Sequence, residues 1–402
     1  MLEFYSGCTC AVDSRKAVAE CLERAVGKKE DPDCDLIIFH TTMGHDFNDL
    51  LTEMHKLSPN AQIVGCTCAG VIGKKKVSES MRALAVMAIR GEKDEFAVVG
   101  RENITGSNSL ECAAGLAQEL KNRKPRINMI HFAASGIDIA ADKAIEGIES
   151  VFGPDISIFG AASSDNMKAV SNFQFIGEQI FERGAVAVGF ADPTLEIITQ
   201  ANHGFVVFGT PFEVTRSVLN RVFEMDGCPA WKCLTDRLGV PETASLADTI
   251  PIGAMAEDLP GDLHEEYGNT HILRVIAKKE MDGSIYMPVN CPEGTKLWLT
   301  RRDEKRIFDG LDKMLKQIVN RCDGRQPIAV FHADCGARGR LLFNCVLKDE
   351  IVSRMQCSLC GNEDVPWLGM YGFGEFAKTG GRNRIHNYTT ALHVIVKCNE
   401  SQ

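Results

Sequence analysis

Two segments in the first half of the chain repeat one pattern. Each reads as an apolar strand, a loop with glycine, an amphipathic helix, a proline, a second strand and a glycine followed by small residues. The two segments are LIIFHTTMGHDFNDLLTEMHKLSPNAQIVGCTCAG and MIHFAASGIDIAADKAIEGIESVFGPDISIFGAASSD. Gly65 follows Phe39 by 26 residues, and Gly160 follows Phe132 by 28. Two units so similar in order and length indicate an internal βαβ repeat.

The spacing of apolar residues predicts the elements of each unit. Apolar residues recur every three or four positions after Asp46 and after Asp138, which predicts two amphipathic helices that cover one sheet. Strand-like stretches then follow without an intervening helix, at 83–89 and 96–99 and again at 185–190 and 195–199. Consecutive strands joined by short turns pair antiparallel. The predicted fold class is therefore α/β of a mixed α+β kind, with mixed β-sheets flanked by helices.

The length of the chain bears on its domain organisation. At 402 residues it exceeds the size at which a single core keeps growing, so two domains are expected. Strand signals end near 203–210, and we predict one domain at 1–205 and a second at 206–402. The second half is predicted to contain helices at 230–238 and 307–319. Its stretch FHADCGARGR stands where a strand gives way to a loop, as FHTTMGH does earlier, which suggests that the second domain reuses the same unit.

Charge and hydropathy limit the possible partners. The net charge of -10 leaves no basic face for neutralising phosphates, so we expect no nucleic-acid partner. The N-terminus lacks a basic region followed by an apolar one, and no window approaches the roughly 18 apolar residues of a membrane span. We therefore expect a cytoplasmic protein with no membrane span.

The sixteen cysteines favour neither a disulfide framework nor a metal centre. Most lie inside apolar runs, where a thiol behaves as a small hydrophobic side chain in a reducing compartment. Cys357 and Cys360 form a C-x-x-C pair, but such a pair supplies two ligands where a structural zinc ion takes four. No metal site is predicted, and the pair is interpreted as part of a loop.

The block 331–389 is more polar than a core requires. Its candidate ligand-binding residues are Cys335, Arg338, Arg340, Tyr371, Glu375, His386 and Asn387. An arginine that follows a strand can hold a carboxylate through two hydrogen bonds, and a glutamate after two glycines can take an ammonium group. We expect Arg338, Glu375 and His386 to gather around one cavity that binds a small polar metabolite.

Each of these residues also has a structural interpretation. Arg338 and Glu375 could form an internal ion pair, and a histidine beside a strand is often a satisfied structural group. Cys335 could be a reactive thiol if Arg338 lowers its pKa, although no base is identifiable from the spacing. The phosphate loop, the nucleophile elbow and the zinc-protease motif are all missing from the sequence. We therefore predict no catalytic residues and expect that the protein is not an enzyme.

Several of these stretches resemble the FIST family, a sensory module of signal-transduction proteins. In the first half, IVGCTCAGVIG and IFGAASSDN are similar to two glycine turns of the family. In the second half, FHADCGARGR, GMYGFGE and RIHNYTT have counterparts in the same order. Met370 stands where the family usually has an aromatic residue, and Phe373 replaces a frequent tyrosine. The resemblance extends over nearly the whole chain, as a FIST N-like domain followed by a FIST C-like domain.

The resemblance implies a sensory protein that binds a small ligand such as an amino acid and signals to a protein partner. No output module is recognised in the sequence, so a stand-alone sensor is expected. Some family members resemble haem proteins that sense nitric oxide, and haem is the one cofactor considered, with the histidines and cysteines as possible axial ligands. The alternatives are therefore a haem-binding gas sensor and a cysteine-based redox or thiol enzyme.

Overall fold

A computed structural model describes residues 1–27, 34–92, 94–250, 252–343, 345–361 and 363–398, apart from the side chain of Cys345. The described part of the chain forms three six-stranded mixed sheets and one eight-stranded sheet. It has the mixed α/β character that the sequence predicts. The division into domains at 1–205 and 206–402 stays a prediction.

The first three sheets share one strand order. Strands of the first sheet are β1 (Glu3–Thr9), β6 (Leu84–Arg90), β2 (Leu36–Thr41), β3 (Gln62–Thr67), β10 (Phe173–Ile176) and β11 (Gln179–Glu182). Those of the second are β7 (Phe96–Arg101), β12 (Ala185–Phe190), β8 (Met129–Ser135), β9 (Ser157–Ser163), β24 (Gly374–Thr379) and β25 (Arg382–His386). Those of the third are β13 (Leu195–Asn202), β26 (Thr390–Lys397), β22 (Ala329–Cys335), β23 (Trp367–Gly372), β4 (Gly70–Gly73) and β5 (Lys76–Ser78).

Three structural repeats produce this shared order: repeat 1 runs from β1 to β6, repeat 2 from β7 to β12, and repeat 3 from β13 to β26 with an interruption after β13. In each sheet the third and fourth strands are parallel, and every other neighbouring pair is antiparallel. The parallel pairs are β2–β3, β8–β9 and β22–β23. The two βαβ units of the first half thus have a counterpart around β22 and β23. This confirms that the second half reuses the same unit, as FHADCGARGR suggested.

A pair of helices covers each sheet. They are α1 (Ser14–Val26) and α2 (Phe47–Leu57), α3 (Ser109–Arg123) and α4 (Ala141–Phe152), and α8 (Glu304–Cys322) and α9 (Cys345–Cys360). Separate clusters of buried apolar residues join each pair to its own sheet. The expectation that α2 and α4 cover one sheet is therefore wrong. A central cluster, which includes Ile38, Phe159 and Phe331, takes residues from all three sheets.

Local sequence explains where these helices begin. The Asp46 side chain accepts a hydrogen bond from the Asp49 amide at the start of α2, and Asp303 accepts one from the Arg306 amide at the start of α8. Apolar positions of α8 at three- and four-residue spacing, such as Ile307 and Leu311, are buried against the sheet.

Each repeat gives its hairpin to another sheet. The β4–β5 hairpin of repeat 1 pairs with β23 of repeat 3, β10–β11 of repeat 2 pairs with β3 of repeat 1, and β24–β25 of repeat 3 pairs with β9 of repeat 2. The consecutive strands β6 and β7 lie in different sheets, because β6 ends the first repeat and β7 begins the second. The antiparallel pairing predicted for them is wrong, because each finds its partners in a separate repeat.

One glycine lies at the same position of each junction. Gly65, Gly160 and Gly369 stand in the middle of their strands. Gly65 pairs with Phe39 on one side and Phe175 on the other, and these two rings contact each other at 5.1 Å. A Cβ atom at any of the three would lie within 2.8 Å of the backbone oxygen of its parallel partner residue.

The eight-stranded sheet interrupts repeat 3 between β13 and α8. Its strands are β14 (Phe205–Val218), β15 (Arg221–Met225), β16 (Cys228–Pro229), β17 (Ala254–Asp258), β18 (His271–Arg274), β19 (Lys278–Lys279), β20 (Ile285–Tyr286) and β21 (Lys296–Arg302). The helices α5 (Ala230–Leu238), α6 (Leu246–Thr249) and α7 (His264–Tyr267) lie within it in sequence. The predicted helix at 230–238 coincides with α5, and that at 307–319 lies within α8. We refer to 205–302 as the insert.

Substitution of the junction glycine in repeat 3 tests the packing. In Gly369→Ala the new methyl group would lie 2.8 Å from both the Cβ atom and the carbonyl oxygen of His332. We expect a loss of about 1–3 kcal/mol in the free energy of unfolding, as for other overpacked sites. Urea unfolding measures it. Gly261→Ala is the control, since nothing lies within 4 Å of a Cβ atom at that residue; equal losses in both variants would contradict the junction argument.

Buried histidines make stability depend on pH. His40 and His131 stack at 6.2 Å in the central core, and burial lowers the pKa of His40 to about 4. Below pH 6.5 the unfolded chain takes up a proton at His40 that the folded protein excludes, so unfolding becomes progressively more favourable down to about pH 4. We expect His40 alone to cost roughly 3 kcal/mol over that range, and His40→Phe to weaken the decline. Urea midpoints at pH 7.5, 6 and 5 measure the effect, and identical pH profiles for the two proteins would refute it.

Candidate functional site

A cavity of about 410 Å³ lies where β8, β22 and β23 end. Its lining comes from repeats 2 and 3 and from the insert, and we call it the strand-end cavity. The residues that line it are Gly136, Met167, Lys168, Ala169, Ser245, Leu246, Ala247, Ile250, Val275, Ile276, Ala277, Lys278, Lys279, Cys335, Ala337 and Phe373. Most of these side chains are apolar, which is usual for small-molecule sites.

Two glycines bring the strand ends together at this cavity. A Cβ atom at Gly136 would lie 2.6 Å from the Cβ atom of Phe373, and one at Gly336 would lie 2.6 Å from the Met167 sulfur. A side chain at Gly136 would also meet the Ser163 carbonyl at 2.4 Å, whereas one at Gly336 would have to displace the Met167 side chain. The close approach sets Phe373 and Met167, from two different repeats, beside Cys335 in the lining.

A strained loop forms one side of the cavity. Met167 and Ala169 have φ angles of 69° and 54°, which non-glycine residues rarely adopt. The Asp165 carboxylate stabilises this turn by accepting hydrogen bonds from the amides of Lys168, Ala169 and Val170 at 2.8, 3.0 and 2.9 Å. Strain of this kind persists where surrounding contacts enforce it, and it concentrates at functional sites.

Arg338 is committed to an ion pair next to the cavity. Its Nε–H donates to Asp334 Oδ1 at 2.7 Å, and another guanidinium N–H donates to the His203 carbonyl at 3.3 Å. Burial would raise the pKa of Asp334, but the Arg338 charge and His332 outweigh burial and lower it. Asp334 Oδ1 also accepts from the Cys335 amide at 2.9 Å. The expected internal pair of Arg338 thus exists, with Asp334 rather than Glu375 as its partner.

Glu375 and Cys335 are both buried, and burial disfavours the charged form of each. Burial raises the pKa of Glu375 well above its usual value, the Asp334 charge adds to this, and Arg338 opposes it. Burial and the nearby Glu375 likewise raise the pKa of the Cys335 thiol. The Cys335 thiol therefore keeps its proton at neutral pH, and burial opposes ionisation of the Glu375 carboxyl. This environment is the opposite of the positive one that activates a nucleophilic cysteine.

His386 and Asn387 support the walls from behind. The Tyr267 hydroxyl lies 3.1 Å from His386 Nδ1, and burial, with Arg274 next in effect, lowers the pKa of His386 to about 3. The Asn387 side chain accepts from the Val275 amide at 3.2 Å and donates to the Phe373 carbonyl at 3.1 Å. Asn387 thus connects the insert to the end of β23.

The remaining candidates lie apart from the cavity lining. Tyr371 is buried, and its carbonyl accepts hydrogen bonds from the Ala69 amide and the Ser164 hydroxyl, both at 2.9 Å. Arg340 is exposed, and its amide donates to the carboxylate of Glu79. Of the seven candidates, Cys335 alone is among the residues that line the cavity. Arg338, Glu375 and His386 cluster behind it.

Sequence reasoning missed the loop at 167–169 and the insert's contribution. The motif IFGAASSDN marked the loop, and its Asp165 fixes the turn that follows. The insert segments 245–250 and 275–279 carry no motif that relates them to Cys335. Their approach depends on tertiary contacts, such as the Asn387 hydrogen bonds.

Other kinds of site find little support in the described residues. Within the described ranges no group of three metal-ligating side chains could hold an ion, and the cysteines described there are free thiols. No helix in the same ranges is long and apolar enough to cross a membrane. No histidine lines the strand-end cavity, and the protonated Cys335 is a poor axial ligand, so its lining does not fit haem.

The buried ion pair can be tested by a double-mutant cycle. Arg338→Met leaves Asp334 buried without its cation, and we expect a loss of about 3–5 kcal/mol in the free energy of unfolding. Asp334→Asn should restore part of that loss in the Arg338→Met background, because no unpaired charge remains. Urea unfolding of the four proteins gives the coupling energy. Arg340→Met is the matched control and should change stability by less than about 0.5 kcal/mol; additive effects at 334 and 338 would contradict the pairing.

Family models match most of the chain. The model of the FIST N domain matches residues 35–228, and that of the FIST C domain matches residues 230–378. The chain therefore belongs to the FIST family, and the resemblance found in its motifs is confirmed. FIST domains are associated with sensory signal transduction.

The relatives found by sequence have no described function. An uncharacterized protein of Mycobacterium bovis is 24% identical over 252 residues, which cover 60% of this chain and 61% of that protein. An uncharacterized protein of Mycobacterium tuberculosis is 21% identical over 402 residues, covering 97% and 98% of the two chains.

Solved structures are similar only at a distance. Cyanuric acid hydrolase from A. caulinodans aligns over 100% of both chains, with 8% identity and a TM-score of 0.38. PurL from Thermotoga maritima, complexed with FGAR, aligns over 99% of this chain and 73% of that one, with 9% identity and a TM-score of 0.22. Similarities this low carry no argument about function.

Proposed function

We propose that this FIST-family protein is a sensory module that binds a small molecule in the strand-end cavity. The observation that carries the proposal is the cavity itself: about 410 Å³, mostly apolar, and bordered by a strained loop. A volume of this size suits a metabolite rather than a macromolecule.

The lining favours a ligand with a carboxylate and an apolar body. Lys168, Lys278 and Lys279 are its cationic side chains. Lys278 pairs with Glu280 at 2.6 Å, and Lys279 donates to the Ala244 carbonyl at 2.6 Å. Lys168 has no ion-pair partner within 4 Å in the described part of the chain, so it is the cation available to a ligand. An amino acid with an apolar side chain meets this description, with its carboxylate at Lys168.

Ligand binding here would join parts of the protein that the sequence separates. The lining comes from the loop after β9, from the ends of β22 and β23, and from the insert. A ligand that contacts all three stabilises one arrangement of the insert relative to the repeats. A change of that arrangement is the signal we propose for a protein partner, since binding shifts an equilibrium only through different affinities for its two states.

The neutral Cys335 favours binding over thiol chemistry. A raised pKa keeps the Cys335 thiol protonated, and burial raises the pKa of the nearby Glu375 carboxyl, which opposes the ionised form that a general base needs. Cys335 then serves as a small polar contact for the ligand. This arrangement supports a sensor more strongly than a cysteine-based enzyme.

Thermal-shift screening with amino acids and related carboxylic acids tests the proposal. We expect at least one apolar amino acid or acid to raise the melting temperature, and Ala247→Trp, which fills the cavity from an exposed position, to abolish the shift. Lys168→Gln should weaken binding roughly three- to tenfold, because a partly exposed ion pair contributes about 1 kcal/mol. Lys168→Arg should bind nearly as the natural protein does.

The control is Val319→Trp, an exposed substitution on α8 outside the cavity lining, which should leave the shift unchanged. A panel without any shift, or a shift that survives Ala247→Trp, would refute binding in this cavity.

A further inference from the structure

A second cavity, of about 360 Å³, lies between the β4–β5 hairpin and α9. Lys74, Lys75 and Lys76 line it from the hairpin, Gln356 lines it from the helix, and Trp367 lines it from the start of β23. We call it the hairpin–helix cavity. It shares no lining residue with the strand-end cavity. It is therefore a separate candidate site that the proposed function does not use.

Gln356 fixes the width of this cavity. Its side-chain oxygen accepts a hydrogen bond from the Lys75 amide at 2.9 Å, and its side-chain nitrogen donates to the Gly73 carbonyl at 3.0 Å. Gln356 is itself buried, with 8% of its surface exposed. Both hydrogen bonds join the hairpin of repeat 1 to the helix of repeat 3, so the walls are held in place without a ligand.

The hairpin presents unneutralised positive charge. Neither Lys75 nor Lys76 has an ion-pair partner within 4 Å among the described residues, whereas Lys74 pairs with the exposed Asp364. Burial lowers the pKa of Lys74, and the positive charge of Lys75 adds to the effect. Asp349 and Glu363 also line the cavity, but Asp349 is paired with Lys348 at 2.7 Å. An anion beside the hairpin would relieve the repulsion between its lysines.

Trp367 supplies an independent sign of a ligand. The side chain is 1% exposed, and no acceptor among the described residues forms a hydrogen bond with its indole nitrogen. Buried indole N–H groups usually have a partner. Val77, Val352 and Val365 line the same cavity and give it an apolar surface next to the indole.

We propose that the hairpin–helix cavity binds a small monoanion with an aromatic or apolar body. Its acidic group lies at Lys75 and Lys76, and its body packs against the valines with an acceptor atom or an aromatic face toward the Trp367 indole N–H. Because the hairpin and the helix belong to different repeats, the ligand stabilises the junction between them.

A fluorescent monoanion, 8-anilinonaphthalene-1-sulfonate, is the probe for this site. Titration of the folded protein should give a saturable increase in fluorescence, which we call the cavity signal. Ser353→Trp fills the cavity from an exposed helix position and should remove the cavity signal. The double variant Lys75→Gln, Lys76→Gln should bind the probe at least tenfold more weakly. The double variant Lys75→Arg, Lys76→Arg should bind it with an affinity within threefold of that of the natural protein. Added salt should weaken binding of the probe as well, since the charges are partly exposed.

Ala247→Trp separates this proposal from the proposed function. It blocks the strand-end cavity and should leave the fluorescence signal of the hairpin–helix cavity unchanged. If Ala247→Trp alone removes the fluorescence, or if Ser353→Trp and the glutamine pair leave it unchanged, the proposal is overturned. Equal weakening by the glutamine and arginine pairs would overturn recognition by charge. Circular dichroism of each variant establishes that the compared proteins are folded.

Discussion

The fold depends on a glycine placed between two large side chains at each junction of repeats. Gly65 lies between Phe39 and Phe175, Gly160 between Phe132 and Phe376, and Gly369 between His332 and Ile72. The two phenylalanine pairs each meet at 5.1 Å across the intervening glycine. The side chain on one flank belongs to the repeat itself, and that on the other belongs to a hairpin received from another repeat. A side chain at the glycine would separate them.

This exchange makes the three sheets mutually dependent. Each parallel strand pair is extended by a hairpin from elsewhere in the chain, in a cycle that closes after three steps. The inner faces then share one central core, while each outer face keeps its own pair of helices. The Ser164 hydroxyl, just after β9, and the Ala69 amide, just before β4, both donate hydrogen bonds to the Tyr371 carbonyl of β23, so segments of all three repeats meet beside the strand ends. The exchange of hairpins thereby positions the strand-end cavity.

The sequence indicates helices and strands more readily than it indicates which strands pair with each other. Helix α5 and most of α8 follow from spacing, and the first two repeats follow from the recurrence of strand, helix and glycine. The third repeat is obscured because the insert separates β13 from α8. The prediction of strand pairing was less accurate than that of the helices. β6 and β7 are neighbours in sequence, yet they do not pair with each other, because each pairs with strands of a different sheet. Apolar alternation specifies which face is buried, but not which strand lies alongside.

Of the seven predicted site residues, Cys335 alone is among the described residues that line the strand-end cavity. Polar residues after β22 and β23 do gather, but burial commits them to one another. Arg338 neutralises Asp334, and Asn387 joins the insert to β23. Composition cannot distinguish a polar group that faces a cavity from one that supports its wall, because both require charged and amide side chains near glycines. Burial decides the matter here, since a charge removed from water needs a fixed partner. The supporting residues hold Cys335, Phe373 and Val275 in place, and the lining that results is mostly apolar.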